Sequence, residues 1–360
     1  MRFPEFSGEW VTKSINDLAV VIGGGTPDTT VKSYWDGEIQ WFTPSEIGKN
    51  KYVDSSLRTI TEVGLNNSSA KLLPPNTILL SSRATIGECS LSLRECATNQ
   101  GFQSLVSKNC NVDFLYYLIQ TKKKDLIRKS CGSTFLEISA NEVRKIQVSV
   151  PSDVEQQKIA ELLSLIDKRI ATQNKIIDKF QSLIKGLAVA LTTKGKPNTA
   201  ISQCLECHSS ALQESEVMPN GLYKVFGANG LVGYTDVPQM NGDAILVIKD
   251  GSGVGTVSYA QGKFSVIGTL NYLTVIGNND LRYLYFALSV FNFQPYKTGM
   301  AIPHIYFKDY GKAKIYCPSL AEQKRVANVL DKLESKLFVE QELLASFNQQ
   351  KLYLLGKMFI

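Results

Sequence analysis

The side chains best suited to metal or redox chemistry lie in Cys204-Leu205-Glu206-Cys207-His208, where two thiols and an imidazole are close in sequence. This spacing is typical of haem attachment or of half of a zinc site. The chain has one other histidine, His304, far from this segment. Haem attachment requires export, and the N-terminus lacks the apolar core of a signal peptide. We therefore predict buried structural thiols, with no metal and no cofactor in this chain.

Two glycine-rich segments could approach a phosphate. In Gly251-Ser252-Gly253-Val254-Gly255, β-forming residues follow at the point where a phosphate site needs a helix N-terminus. A hairpin turn is the favoured interpretation there. Gly23-Gly24-Gly25 leads into Thr26-Pro27 and reads as a loop, which either contacts a phosphate or base or only turns the chain.

Catalytic signatures are weak. The base-methylating pattern Asn/Asp-Pro-Pro-Tyr/Phe does not occur, and Leu73-Pro74-Pro75-Asn76 does not satisfy it. Glu334-Ser335-Lys336 has the spelling of the end of a nuclease motif, but it falls on a long predicted helix, where a solvated pair is favoured. Neither histidine has a plausible serine or cysteine partner for acyl transfer in the sequence. We predict that the chain is not an enzyme.

A basic run, Lys122-Lys123-Lys124, ends a short predicted helix. Cations at a helix C-terminus suit the helix dipole and are commonly solvated, while contact with DNA phosphates is the functional alternative. The matching stretch, Ser289 to Gln294, carries no charge. The two halves of the chain should therefore present different surfaces.

The chain repeats itself at an offset of 167 residues. The segment from Pro151 to Ala160 returns as Pro318 to Ala327, and Gly132 and Ile138 return as Gly299 and Ile305. Each copy is a globular segment followed by a long helix.

Each long helix carries an apolar stripe with alternating steps of four and three residues, as in a coiled coil. The seam positions are Ile159, Leu163, Ile166, Ile170, Gln173, Ile177, Phe180 and Ile184 in the first helix, and Val326, Leu330, Leu333, Leu337, Glu340, Leu344 and Phe347 in the second. If the helices pair antiparallel, the central Gln173 and Glu340 meet near a pseudo-twofold axis and fix the register. About 35 residues at 1.5 Å each make a spacer of roughly 50 Å. The alternative is that each helix packs only on its own globular segment.

We predict an α+β protein with two mixed domains, 1–150 and 196–317, and two long helices, 151–195 and 318–360, which form an antiparallel coiled coil. Short strands such as Thr77 to Ser81 and Ala244 to Ile248 are separated by turns, and one shorter helix follows near 112–129 and near 280–291.

Composition bounds the class of protein. With 44% hydrophobic and 20% charged residues, the chain can bury ordinary cores, and it has no apolar run long enough to span a bilayer. Its seven cysteines do not suggest a disulfide framework. We expect a cytoplasmic protein without membrane contact. The net charge of +6 permits nucleic-acid binding without requiring it.

The order of these features resembles the specificity subunit of type I restriction-modification systems. Arg2-Phe3-Pro4-Glu5-Phe6 and Gly24-Gly25-Thr26-Pro27 look like the opening of the family's target recognition domain. Two further segments also resemble this family, Asn99-Gln100-Gly101-Phe102-Gln103 and Gly227-Ala228-Asn229-Gly230. The similarity covers essentially the whole chain.

The resemblance implies that each domain reads one half of a split, asymmetric site in double-stranded DNA, while the coiled coil sets the spacing. It implies two methyltransferase subunits as partners, and restriction subunits through them. S-adenosylmethionine, ATP and Mg²⁺ would belong to those partners. A non-catalytic adaptor, whose coil joins two protein-binding domains, is the alternative.

Arginine and lysine pair well with guanine, and asparagine and glutamine with adenine. On the resemblance, polar loop residues are the candidates for DNA contact. They are Thr26, Ser82, Arg83, Asn99, Gln100, Gln103, Lys122, Lys123 and Lys124 in the first half, and Asn229, Lys249, Ser252, Asn271 and Tyr272 in the second.

Overall fold

The computed structural model describes residues 2–132 and 136–359. The chain divides into two compact units. The first unit holds the residues up to Gln173 and those from Leu343 onward, and the second holds Asn174–Glu342. Each long helix therefore contributes residues to both units.

The first unit contains the mixed α/β domain of the N-terminal half. Its strands are β1 (Val11–Ser14), β2 (Ala19–Gly23), β3 (Trp35–Phe42), β4 (Tyr52–Val53), β5 (Arg58–Ile60), β6 (Ile78–Leu80), β7 (Cys89–Ser92), β8 (Cys96–Thr98), β9 (Gln103–Ser107) and β10 (Gln147–Val150). Its short helices are α1 (Ile15–Leu18), α2 (Glu62–Asn66), α3 (Val112–Thr121), α4 (Lys123–Arg128) and α5 (Ala140–Arg144). The sheets have the orders β2-β9-β6-β7-β4, β5-β3-β8 and β1-β10.

The second unit repeats this plan. Its strands are β11 (Thr199–Ala200), β12 (Leu205–Ser209), β13 (Tyr223–Gly227), β14 (Gly230–Thr235), β15 (Met240–Asn241), β16 (Ala244–Ile248), β17 (Val257–Ala260), β18 (Lys263–Val266), β19 (Leu270–Val275) and β20 (Lys314–Ile315). The long helices are α6 (Asp153–Thr192) and α10 (Leu320–Met358), and the short ones are α7 (Ile201–Cys204), α8 (Leu281–Ser289) and α9 (Phe307–Tyr310). The sheets have the orders β12-β19-β16-β17, β14-β13-β18-β15 and β11-β20.

The central strands of both halves lie where the sequence predicts them. Strand β6 is slightly shorter than predicted, β16 has the predicted bounds, and both are completely buried. The predicted helix near 280–291 is α8. The predicted helix over 112–129 is instead the pair α3 and α4, because Lys122 leaves the helical dihedrals at φ −92° and ψ 8°.

The seam residues form the buried stripe of both long helices, and none of them is exposed. In the first unit, Ile159, Leu163 and Ile166 of α6 share a core with Leu354 and Met358 of α10. The start of one helix therefore packs with the end of the other, which is an antiparallel pairing.

The second unit shows the same arrangement with the roles exchanged. Val326 and Leu330 near the start of α10 share a core with Ala188, Ile184 and Leu187 near the end of α6. Gln173 and Glu340 belong to different units, and their predicted pairing stays a prediction. Among the described residues, no helix is both long and apolar enough to cross a membrane.

The glycine-rich segment after β16 is a hairpin turn, as predicted, because β16 and β17 pair antiparallel on either side of it. The segment after β2 is a loop in close contact with its own domain. A Cβ at Gly24 would overlap the carbonyl oxygens of Thr98 and Asn99. Glycine is needed there for contact within the protein.

Candidate nucleic-acid interface

In the first unit, the loop after β2 lies beside the loop that joins β8 and β9. The Thr26 hydroxyl donates a hydrogen bond of 2.5 Å to the Gln100 side chain, and the Gly101 N–H donates to the Asn99 side chain at 2.8 Å. The Ser82 N–H donates to the Gly101 carbonyl at 2.8 Å. Five predicted contacts, Thr26, Ser82, Asn99, Gln100 and Gln103, therefore lie on two adjoining loops and the strand ends beside them.

These five residues differ in access to solvent. Thr26 and Gln100 are exposed, and Asn99 and Gln103 are partly buried. Ser82 is fully buried, and its hydroxyl and the Gln103 side-chain oxygen have no hydrogen-bond partner within the described part of the chain. Burial argues against direct base contact by Ser82 and by the side-chain oxygen of Gln103, whereas Thr26, Asn99 and Gln100 can meet a ligand.

Arg83 and the lysine run border this cluster. The Arg83 side chain forms an ion pair of 2.9 Å with Glu137, and both side chains are about half exposed. Lys123 is exposed, pairs with Glu88 and lies against Gly87. Lys122 is partly buried at the break between α3 and α4, and Lys124 is exposed on α4. All four bordering cations reach the solvent, but Arg83 and Lys123 are each paired with an acid of their own domain.

The second unit places its predicted residues on a matching backbone framework. The Lys249 N–H donates to the Thr269 carbonyl at 3.0 Å, as Ser82 does to Gly101. The Ile305 N–H donates to the Lys249 carbonyl at 2.9 Å, and the Ile138 N–H donates to the Ser82 carbonyl at 3.1 Å. Ser82 and Lys249 therefore occupy equivalent positions, with a short hydroxyl in one domain and a cation in the other.

Asn271 and Tyr272 lie on β19 and face their own domain. Asn271 is buried and accepts a hydrogen bond of 2.9 Å from Ser209. The Tyr272 ring stacks on His208 at a centroid distance of 4.9 Å. Burial argues against base contact by Asn271, and Tyr272 is only partly accessible.

Asn229 and Ser252 are both exposed at turns of the second unit. Asn229 lies between β13 and β14, and Ser252 lies in the hairpin between β16 and β17. The structure therefore leaves Asn229, Lys249 and Ser252 as the accessible candidates of this half.

One glutamine joins each globular domain to its long helix. The sequence-based candidates do not include these two residues. Gln156 accepts a hydrogen bond from the Asn111 N–H at 3.0 Å and donates to the Pro151 carbonyl at 3.1 Å. Gln323 accepts from the Asp280 N–H at 2.8 Å and donates to the Pro318 carbonyl at 2.9 Å. Asn111 and Asp280 are the N-caps of α3 and α8. We call Gln156 and Gln323 the root glutamines.

A tyrosine and an acid form a second joint about three helical turns further along each long helix. The Tyr117 hydroxyl donates to Asp167 at 2.6 Å, and the Tyr285 hydroxyl donates to Glu334 at 2.9 Å. Burial raises the pKa of both phenols far above the usual range, so both remain neutral donors. The repeat itself was the signal for these residues, since Gln156, Asp167 and their counterparts match at the 167-residue offset.

The prediction of a solvated pair in Glu334-Ser335-Lys336 is wrong for Glu334, because its carboxylate accepts hydrogen bonds from Tyr285 and Arg282 and is only partly exposed. The Arg282 guanidinium donates to Asp331 and Glu334, each at 2.6 Å, and lies 4.3 Å from the centre of the Tyr259 ring. The acid is held by a cation and a phenol.

The cysteines are free thiols. Cys204 is buried and its sulfur lies 4.0 Å from that of Cys317, while Cys207 is partly buried. The hydrogen bond from Cys204 lowers the pKa of Cys317 to about 7. The same interaction, together with burial, raises the pKa of Cys204. In the described ranges, no group of three or more histidine, cysteine, aspartate or glutamate side chains could hold a metal ion.

Comparison with known proteins agrees with this geometry. The family model for the type I restriction modification DNA specificity domain matches residues 7–181 and 207–349. The type I restriction enzyme MjaIX specificity subunit of Methanocaldococcus jannaschii is 40% identical over 179 residues, which are 48% of this chain and 41% of that protein. The EcoprrI specificity subunit of Escherichia coli is 25% identical over 345 residues, which are 87% of this chain and 84% of the relative.

The fold is that of solved specificity subunits. A crystal structure of the type I restriction-modification S subunit from M. genitalium matches with a TM-score of 0.65 and 18% identity, covering all of this chain and 99% of the other. Two matched segments, duplicated backbone frameworks and paired long helices lead to one conclusion. The chain belongs to the type I restriction modification DNA specificity domain family.

Proposed function

We propose that this protein is the sequence-specific DNA-binding subunit of a type I restriction-modification enzyme, and that each recognition domain reads one half of a split, asymmetric site. One observation carries the proposal. The two domains share a backbone framework at their loops, yet place different side chains on it, such as Ser82 and Lys249 at one position and Arg83 and Asp250 at the next.

Sequence is read by hydrogen bonds to base edges, while phosphate contacts position the protein. In the first domain, Thr26, Asn99 and Gln100 offer groups suited to base edges, and Arg83 is a candidate for guanine. The lysines at 122–124 are suited to phosphates. In the second domain, Asn229, Lys249 and Ser252 take these roles.

The long helices are the spacer and the docking surface in this proposal. The antiparallel pairing fixes the separation of the two half-sites, and the joints made by the root glutamines and the Tyr–acid pairs hold each domain on its helix. Two methyltransferase subunits bind the assembly, and restriction subunits join through them. The chain itself is non-catalytic and cytoplasmic, and S-adenosylmethionine, ATP and Mg²⁺ serve the partners.

The test is reconstitution with its proposed methyltransferase partner, followed by sequencing of methylated adenines on random DNA. A split asymmetric motif is the expected result. Gln100→Ala should then relax only one half of the motif, and Ser252→Ala only the other. A folded complex that methylates no split motif, or a chain whose binding to DNA does not weaken as salt rises, would instead favour the protein adaptor.

A further inference from the structure

A short loop of the second unit, residues 298–304, presents an apolar tip to solvent. We call it the finger. Met300 has 105% of its reference exposure and Ile302 has 66%, so neither side chain is covered by its own unit. Ala301 between them is also exposed. Exposed aliphatic groups side by side on a tight loop have an energetic cost in water that a ligand can remove.

The finger is held firmly at its base. Thr298 and His304 exchange two backbone hydrogen bonds of 2.9 and 2.8 Å. The Gly251 N–H donates to the Pro303 carbonyl at 2.9 Å, which ties the finger to the hairpin that carries Ser252. Gly299 has a φ of +88°, and a Cβ there would overlap the Ile302 carbonyl, so the tight tip needs glycine.

The charge around the finger favours a polyanion. From Leu281 to Lys308 the sequence has Arg282, Lys297 and Lys308 and no aspartate or glutamate. Arg282 is neutralised by its two acids, but Lys308 is exposed and Lys297 is partly exposed. The finger also adjoins Lys249, whose carbonyl accepts from the Ile305 N–H, but Asp250 pairs with the Lys249 side chain at 3.7 Å and forms a β-bridge with His304. Lys297 and Lys308 therefore supply the positive charge beside the apolar tip.

Size distinguishes DNA from a protein partner. A stable protein interface buries about 800 Å² on each side, far more than two side chains on a narrow loop can supply. The major groove of B-DNA is about 12 Å wide and presents the thymine C5-methyl group, which is the apolar feature of a base edge. A two-residue aliphatic tip has the right dimensions for that contact.

We propose that Met300 and Ile302 contact thymine methyl groups in the half-site read by the second domain, and thereby contribute to its sequence specificity. This inference rests on the proposed function and names residues for it. At the 167-residue offset, Met300 and Ile302 correspond to Ser133 and Phe135, which lie outside the described ranges.

The experiment uses the full chain assembled with its methyltransferase, on DNA carrying the motif found by methylation. Met300→Ser combined with Ile302→Ser is compared with Leu222→Ser combined with Val237→Ser. Leu222 and Val237 are each 76% exposed in the same unit, so this second pair controls for loss of exposed apolar side chains. Thermal melting establishes that both variants fold.

We expect the finger variant to bind the full site about tenfold more weakly than the wild type and the control variant. On DNA with the second half-site scrambled, all three proteins should bind equally. Replacing thymine by uracil in the second half-site removes one methyl group, and at a contacted thymine it should weaken wild-type binding about fourfold and leave the finger variant unchanged.

Three results would overturn the inference while the proposed function stands. The finger variant could bind like the wild type, or lose its methyltransferase while the control variant keeps it, or the wild type could be insensitive to uracil at every thymine of the second half-site. A wild-type complex that methylates no split motif would instead overturn the proposed function itself.

Discussion

The two recognition domains differ in side chains where they agree in backbone. Ser82 and Lys249, which are 167 residues apart, make equivalent backbone hydrogen bonds. The paired residues Cys131 and Glu137 likewise correspond, at the same offset, to the paired Thr298 and His304. At the joints with the long helices the agreement extends to side chains, since both halves use a glutamine, a tyrosine and an acid. The two joints are thus built from the same residue types, while the loops carry different side chains on the same backbone.

The joints also differ in one chemical respect. The oxygen of the Gln156 amide faces the Cys110 thiol at 3.3 Å, whereas the nitrogen of the Gln323 amide donates to the Cys317 sulfur at 3.2 Å. Burial raises the pKa of Cys110 to about 12, and the hydrogen bond from Cys204 lowers that of Cys317 to about 7. The same glutamine therefore faces a thiol of raised pKa in one unit and a thiol of lowered pKa in the other.

The largest expected difference between the units is in alkylation of these two cysteines. Because the thiolate is the nucleophile, Cys317 should react with iodoacetamide at least about a hundredfold faster than Cys110 at pH 7.5. Its rate should rise with pH through a midpoint near 7. Peptide mapping by mass spectrometry separates the two sites from the exposed Cys131.

Cys204→Ala tests whether the hydrogen bond with Cys204 is what lowers the pKa of Cys317. It removes that hydrogen bond and should move the midpoint of the Cys317 alkylation rate to higher pH. Equal rates at Cys110 and Cys317, or a midpoint that the Cys204 change does not move, would contradict the difference between the joints.

The next largest effect concerns the root glutamines. Gln156→Leu and Gln323→Leu should each lower the unfolding free energy of their own unit by about 2 kcal/mol, because each leaves a partly buried N–H and a carbonyl without a partner. Native-state hydrogen exchange reads each unit separately. Gln157→Leu, at an exposed neighbouring position, should change the free energy by less than about 0.5 kcal/mol. A loss of unfolding free energy in only one of the two units would show that the two joints are not equivalent.

Removing the phenol hydroxyls should have a smaller effect. Tyr117→Phe and Tyr285→Phe each lose a hydrogen bond to an acid, at a cost of about 1–1.5 kcal/mol. We expect Tyr117→Phe to cost more, since its hydroxyl also accepts from Lys51 at 3.1 Å. Denaturant melts of the two variants, with exposed Tyr353→Phe as the reference, measure the difference. A larger loss for Tyr285→Phe would reverse this order.

The smallest stability effect is expected at the loops. Arg83→Ala removes an ion pair whose partners are 44% and 36% exposed, and such pairs contribute less than about 1 kcal/mol. Its melting temperature should stay close to that of the wild type. The methylated motif should change only in the half read by the first domain. A change in both halves would indicate that the loops are coupled, in contrast to the independent domains proposed here.

The sequence predicted the long-range plan well because the plan is repeated and periodic. The 167-residue offset predicted two domains, and the four-three spacing predicted which face of α6 and α10 is buried. It also placed β16 and α8 closely. The break at Lys122 was missed, since the same residues read as one continuous helix.

The candidate interface was predictable only in part. Thr26 and Gln100 are 74 residues apart, and their hydrogen bond depends on how the loop after β2 folds against the loop before β9. The burial of Ser82 and Asn271 likewise follows from strand pairing. Residue type indicates which chemistry a side chain can perform, and only the packed neighbours decide whether it is accessible.

By itself, therefore, the sequence determined the duplication, the paired helices and the family resemblance, because these depend on local spacing and on self-similarity. The tertiary structure decided which polar residues face solvent, which glutamines and tyrosines join the domains to the helices, and that residues 298–304 project an apolar tip. Those properties arise from contacts between residues far apart in the chain, which local periodicity does not reveal.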